Sequence, residues 1–257
     1  MKQYGEMNVN KYQEMKDSRI AKGLLVLRRE GLTIFLYRFI RYLERCSYRA
    51  ATPLVVSFAP SGNFLYQGKK LRYFHHKKNL TWTNERKVEI PIAISYIKEY
   101  LKSNSKPILE IGAVLPHYYP AAKHDVVDKF EKKNGIINED VITFKPTVKY
   151  DLIISISTLE HVGFDDDIKD PNGILKALAN LKSNCLSKKG KMIITIPIGY
   201  NKYVDQHLAE KKLGFDEEYY LRRSGFNKWK QSNREECLNI RYGFLRANAI
   251  AVGVINS

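Results

Sequence analysis

The run Tyr150-Asp-Leu-Ile-Ile-Ser-Ile-Ser157 constrains the fold most. Its apolar residues fall on both parities, so neither side of a strand built from it would face water. Strands buried on both faces belong to parallel sheets held between helix layers. Two shorter runs precede it: Pro107-Ile-Leu-Glu-Ile-Gly112, a strand ending in a glycine turn, and Asp125-Val-Val-Asp128, a strand ending on a carboxylate. Together they predict an α/β fold with a Rossmann-like, mostly parallel sheet and helices on both faces. Any ligand then belongs in the crevice beyond the strands' carboxyl ends.

The remaining elements follow from periodicity and punctuation. A helix over 88–101 precedes the first strand and covers one side of the sheet, and 103–106 closes it. After the strands Ile108–Ile111 and Asp125–Val127, separated by a short helix through Ala121, a third carboxyl-ended element is expected at 139–142. Asp170-Pro171 opens a helix whose apolar positions run to Leu186, with Lys188-Lys-Gly190 as its stop. A fifth strand is predicted over 191–197. Beyond it come helices at 201–214 and 233–238, a short strand or helix at 217–223, and a final strand at 247–255.

The first hundred residues differ in character. Residues 1–17 show no periodicity and predict a loosely packed start. Over 19–49, Ile20, Leu24, Leu27, Leu32, Phe35, Phe39 and Leu43 recur at helical intervals, predicting two amphipathic helices broken at Gly31. Arg19, Lys22, Arg28, Arg29, Arg38, Arg41, Arg45 and Arg49 lie between them, with Tyr37, Tyr42 and Tyr48 at the boundary. Such helices suit peripheral contact with an anionic membrane, or packing on their own protein with a solvated basic back. Residues 64–74 read as a β-hairpin around a glycine turn. His75 and His76 are adjacent, lack an i, i+4 partner and predict no metal site. Trp82 and Arg86 sit in a Trp-, Asn- and Arg-rich stretch that suits a lid or acceptor-binding role. The expected division is a basic helical and hairpin region over 1–105 and an α/β domain over 106–257.

The formal charge of +16 over 257 residues is uneven, with most of the excess before residue 107, and it draws anionic partners. No apolar run is long enough to cross a bilayer, and the amino terminus lacks the apolar core of a signal peptide. Cys46, Cys185 and Cys237 are odd in number and far apart, which suits a reduced, cytoplasmic setting.

Glu110-Ile-Gly112, Asp128, Asp140, the run from Asp151 to Leu-Glu-His161 and the Lys-Lys-Gly-Lys strand together resemble class I S-adenosylmethionine-dependent methyltransferases over roughly 106–197. The 73–91 block and 124–131 are also similar to uncharacterised methyltransferase-like proteins of bacterial surface-polysaccharide clusters. The resemblance implies S-adenosylmethionine as cofactor, with the turn after the first strand beneath its methionine and ribose and Glu110, Gly112 and Ser157 among the residues that bind it. Asp128 is implied on the ribose diol and Asp140 near the adenine amino group. It further implies a small-molecule or glycan hydroxyl as acceptor. His161 is the first candidate for the base, since imidazole titrates near neutrality, with Glu160 assisting and His117 and Tyr118 behind it.

The chain departs from the family's three-glycine loop: after Gly112 come Ala113, Val114, Leu115 and Pro116. Without glycines that admit positive φ, a differently shaped turn is expected. The loss weighs more against a nicotinamide dinucleotide, whose pyrophosphate needs that loop, than against a phosphate-free cofactor. A nucleic-acid methyltransferase is disfavoured because Ser157-Thr-Leu-Glu-His replaces the Asn/Asp-Pro-Pro-aromatic motif that grips a flipped base. A non-catalytic member that binds a partner is the remaining alternative.

Overall fold

The computed structural model describes residues 27–58, 62–102, 107–120, 123–243 and 246–257. The expectations placed on 1–26, 103–106 and Ala121 lie outside the described residues. The chain divides into two compact units between Ser57 and Phe58.

The helix Leu32–Phe58 (α1) lies in the first unit up to its last residue. Gly31, at φ +87°, separates it from the helical turn at 27–30, the break expected there. The helix continues past Arg49 and through Pro53, which removes one N–H from the ladder without ending it.

The second unit opens with the hairpin Asn63–Tyr66 (β1) and Lys69–Arg72 (β2). Gln67 and Gly68 join the strands at φ +51° and +71°, the paired left-handed conformation of a type I′ turn. The helix Arg86–Tyr100 (α2) follows, then Ile108–Ile111 (β3), Asp125–Val127 (β4), Ile136–Ile137 (β5), Tyr150–Ile156 (β6) and Leu186–Pro197 (β7). Glu217–Ser224 (β8), Lys228–Ser232 (β9) and Ala249–Asn256 (β10) complete the strands. The sheet order is β5-β4-β3-β6-β7-β10-β8-β9. The five strands from β5 to β7 are parallel; β10 runs antiparallel to β7, and β8 and β9 extend the antiparallel side.

Both faces of this sheet are covered. On β6, Ile153 joins one apolar cluster while Leu152, Ile154 and Ile156 join the other, and on β7 Met192 and Ile194 oppose Ile193 in the same way. One layer is built by the helices Gly173–Asn180 (α3), Lys202–Ala209 (α4) and Arg234–Leu238 (α5), which contribute Ile174, Leu208 and Cys237. The other holds α2, through Val88, Ile90 and Ile92, together with Phe64 and Tyr66 of the hairpin. The hairpin and α2 thus bury their apolar sides on the sheet.

Several boundaries also differ. The strand expected at 139–142 lies earlier, at Ile136–Ile137, since that pair carries the register with Val126 and Val127. The α3 segment stops before the lysines. Leu186 already pairs with Tyr150, and the register then slips so that Lys191 meets Leu152, with Lys189 at φ +69° in the bulge. Asp170 turns the chain through its side chain and carbonyl, so the helix starts at Gly173.

The strand order reverses between β3 and β6, which opens a crevice beyond their carboxyl ends. The turn after β3 borders it. Gly112 sits at φ +86°, and a Cβ there would lie 2.1 Å from Thr158 Oγ1. Val114 has φ −90°, and Leu115–His117 form one 3-10 turn with Pro116 at its start, where its missing N–H costs nothing. The fully buried Glu110 anchors this turn: its Oε1 accepts from the Val114 and Leu115 N–H groups at 3.0 and 2.8 Å, and its Oε2 lies 2.6 Å from His124 Nε2. Asp128 accepts from the Ala113 N–H at 3.0 Å. Glu110→Ala would leave two buried N–H groups and His124 without their acceptor. A loss of about 3 to 5 kcal/mol in denaturant-measured stability is expected, and a change under about 1 kcal/mol would show that the turn does not depend on this carboxylate.

Candidate active site

A cavity of about 420 Å³ lies at the carboxyl ends of β3, β4, β5 and β6. Each strand contributes the residues that follow it: Gly112 to Val114 after β3, Asp128 to Glu131 after β4, Glu139 and Asp140 after β5, Thr158 and His161 after β6. Its floor is apolar, from Ile111, Val127, Val141 and Val162. Of the residues singled out in the sequence, Gly112, His117, Asp128, Asp140 and His161 line it together. Glu110, Ser157 and Glu160 do not. Glu110 holds the turn from beneath, and the other two belong to a buried network behind the cavity wall.

The lining is acidic although the chain is basic. Asp128, Glu131, Glu139, Asp140 and Asp166 face Arg86 and Lys129 there. Asp128 Oδ1 accepts from the Phe130 and Glu131 N–H groups at 2.8 and 2.9 Å, in addition to the Ala113 contact at Oδ2. A carboxylate has about four acceptor positions, so one remains. Asp140 Oδ1 accepts from the Ile142 N–H at 2.9 Å, and its Oδ2 lies 3.0 Å from Lys129 Nζ, which also reaches Asp166 at 2.9 Å. Lys129 thereby ties the β4 and β6 loops together. The hydrogen bonds that Lys129 donates to Asp166 and Asp140 push its ammonium up, and Lys129 pulls Asp166 down.

His161 ends a 3-10 turn directly after β6. Its Nδ1 lies 2.5 Å from Asp165 Oδ2, which also accepts from the Tyr200 hydroxyl at 2.8 Å. Burial alone pushes the Asp165 carboxyl up, but these two hydrogen bonds outweigh it and hold the group below its ordinary value. An ionised carboxylate only accepts, so Nδ1 carries the hydrogen in this contact. Aromatic rings flank this imidazole: Tyr200 packs edge-on at 4.7 Å, with Phe164 and Tyr242 against Tyr200 at 5.7 and 5.5 Å. At the opposite side of the cavity, His117 Nδ1 lies 2.9 Å from Lys78 Nζ. Burial, Lys78 and Lys133 push its imidazole down, which suits acceptance from Lys78.

Behind His161 lies the buried network. Glu89 of α2 accepts from Ser157 Oγ at 2.5 Å, Thr195 Oγ1 at 2.8 Å and Arg86 Nη1 at 2.6 Å. Glu160 Oε1 is 3.6 Å from His161 Nε2, and its Oε2 has no hydrogen-bond partner. Burial raises the Glu160 carboxyl well above its ordinary range; Glu89 and Glu85 add to this, while its own backbone and Arg86 oppose it. Arg86 answers three buried glutamates at once. Removing it would therefore disturb packing as much as any acceptor. The Trp82 carbonyl accepts from the Asn227 side chain.

Asp165, Tyr200 and Lys129 were not singled out by sequence reasoning. The Asp165-Asp166-Asp167 run four residues past His161 was a visible signal. Tyr200 and Tyr242 were not, because only the sheet order brings their loops beside that of β6.

No family model matches the chain, and neither does any curated protein. Solved structures do align. The N-methyltransferase NodS from Bradyrhizobium japonicum WM9, in complex with S-adenosyl-L-homocysteine, aligns at 12% identity and TM-score 0.40, over 68% of this chain and 94% of that one. A SAM-dependent methyltransferase from Archaeoglobus fulgidus aligns at 15% identity and TM-score 0.40, over 67% and 96%. A putative O-methyltransferase from Nostoc punctiforme PCC 73102 aligns at 13% and 0.36, over 68% and 61%. At these identities and scores the likenesses carry no inference about ligand or reaction.

The Glu160 environment has a measurable consequence. An acid held protonated in the fold ionises on unfolding, so its contribution to stability falls as pH rises above about 4.5 toward the folded value. Glu160→Gln removes that dependence. Its melting temperature is expected to gain on the wild type between pH 5 and pH 8; a constant difference across that range would show that Glu160 is ionised in the fold.

Proposed function

We propose that the chain is an S-adenosylmethionine-dependent methyltransferase acting on a hydroxyl of a sugar or related small metabolite, in a cytoplasmic reaction of surface-polysaccharide synthesis. The observation that carries this reading is the sign of the cavity. Five carboxylates against two cations, at the switch point of a parallel sheet, suit a ligand that brings a cation and a ribose, and oppose one that brings phosphates. The residues fit such a cofactor. Gly112 and Ala113 would border its methionine, the remaining acceptor position of Asp128 would meet a ribose hydroxyl, and Glu139 and Asp140 would border the adenine. When bound, the cofactor supplies an electrophilic methyl group.

The chain's own part is alignment and proton removal. The acceptor hydroxyl is held beside His161, whose Nε2 takes the proton as the oxygen gains its methyl group. Asp165 fixes the ring through Nδ1 and stabilises the imidazolium that forms. The Tyr200, Phe164 and Tyr242 rings offer flat apolar faces to a sugar or similar ring beside that nitrogen. Lys129, bridging Asp140 and Asp166, favours a second reading, in which the cleft stays tied shut and the chain binds a partner without turnover.

Titration calorimetry separates the two. S-adenosylmethionine and S-adenosylhomocysteine are expected to give saturable heats and NAD none. Asp128→Ala should weaken the cofactor tenfold or more, about 1.4 kcal/mol per tenfold. No heat at millimolar cofactor would leave the second reading standing. His161→Ala is expected to keep cofactor affinity while lowering methyl transfer to a hydroxyl acceptor by a hundredfold or more; unaltered turnover would remove His161 from the chemistry.

A further inference from the structure

The α1 helix sorts its side chains by chemistry. At about 100° per residue, Leu32, Leu36, Phe39, Leu43 and Leu54 share one face, and Arg38, Arg41, Arg45 and Arg49 share the opposite one. Tyr37 and Tyr42 fall on the two borders. The apolar side chains are out in solvent, with relative exposures of 60% for Leu32, 46% for Leu36, 46% for Phe39, 49% for Leu43 and 64% for Leu54. Against the four arginines the helix carries one acid, Glu44, which Arg41 engages at 2.5 Å.

Two features identify what covers this face. Phe35 and Ile40 widen the apolar stripe well beyond the two-position seam of a paired coiled coil. A second copy of the helix would also bring the same arginines, with too few acids to answer them. An anionic lipid surface answers both, offering a broad apolar boundary and a plane of phosphates. No helix among the described residues is long and apolar enough to cross a membrane. A helix of this kind lies in the interface plane instead.

We propose that α1 docks the protein on an anionic bilayer surface, with the leucine face in the acyl boundary, the tyrosines at headgroup level and the arginines reaching lipid phosphates. The proposal stands on observations separate from those at the crevice.

Co-sedimentation of the full chain with vesicles tests it. Vesicles of equimolar phosphatidylcholine and phosphatidylglycerol are expected to bind the protein, and phosphatidylcholine alone to bind at least tenfold less. Binding should weaken as salt rises. Replacing Arg38, Arg45 and Arg49 together by Gln should lower binding tenfold or more, and Leu36→Asp with Leu43→Asp should abolish it. Melting temperature and circular dichroism should stay unchanged in both variants, since the replaced side chains are exposed. Equal binding to both vesicle types would overturn the proposal. So would arginine and leucine variants that bind like the wild type. A self-associating chain that ignores vesicles and becomes monomeric in the leucine variant would assign the face to a second copy instead.

Discussion

Two carboxylates decide what the bend after the first parallel strand can hold. Glu110, fully buried, takes the N–H groups of Val114 and Leu115, and Asp128 takes that of Ala113. In a phosphate-binding turn, consecutive amides of this kind face the ligand. Here they face the protein's own acids. The bend can therefore dispense with the second and third glycines, because no pyrophosphate has to approach its backbone. Only Gly112 keeps its requirement, set by the closeness of Thr158 rather than by a ligand.

Asp128 also helps to set the sign of the site. The chain as a whole is strongly basic, yet its crevice gathers carboxylates from beyond the ends of three strands, β4, β5 and β6. The acidic crevice suits a sulfonium cofactor, while the arginine row of α1 suits a phosphate plane. Deeper in, Glu85, Glu89 and Glu160 share one guanidinium, Arg86, so the wall behind His161 is itself short of positive charge. Protonation of Glu160 relieves that shortage and leaves Asp165 as the ionised partner of the imidazole.

The parts of this arrangement that local pattern controls were legible in the sequence. The run at 150–157 was apolar on both parities because β6 is buried on both faces, and Asp128 and His161 follow their strands where the crevice opens. The Gly31 break and the Gln67-Gly68 turn were equally local. Other features depend on pairing across the sheet. The β7 bulge, which lets Leu186 join Tyr150, erased the expected helix stop at 188–190. The short β5 was hidden behind the more conspicuous acids at 139–140. Glu110 read as a ligand contact because a carboxylate near the glycine turn suits both roles. Only the geometry shows its oxygens spent on backbone amides and His124. Tyr200 and Tyr242 carried no motif; Tyr200 meets His161, and Tyr242 packs on Tyr200, only because β7 and β10 are neighbours in the sheet.

The central claim is that a phosphate-free nucleoside cofactor lies over a bend whose amides are already occupied by Glu110 and Asp128. A crystal structure of the chain with S-adenosylhomocysteine tests this most directly. The account predicts the ribose within hydrogen-bond reach of Asp128, the Glu110 contacts unchanged, and the sulfur on the His161 side of Gly112. A ligand seated elsewhere, or one that reaches the amides of Ala113 to Leu115 by displacing Glu110, would contradict it.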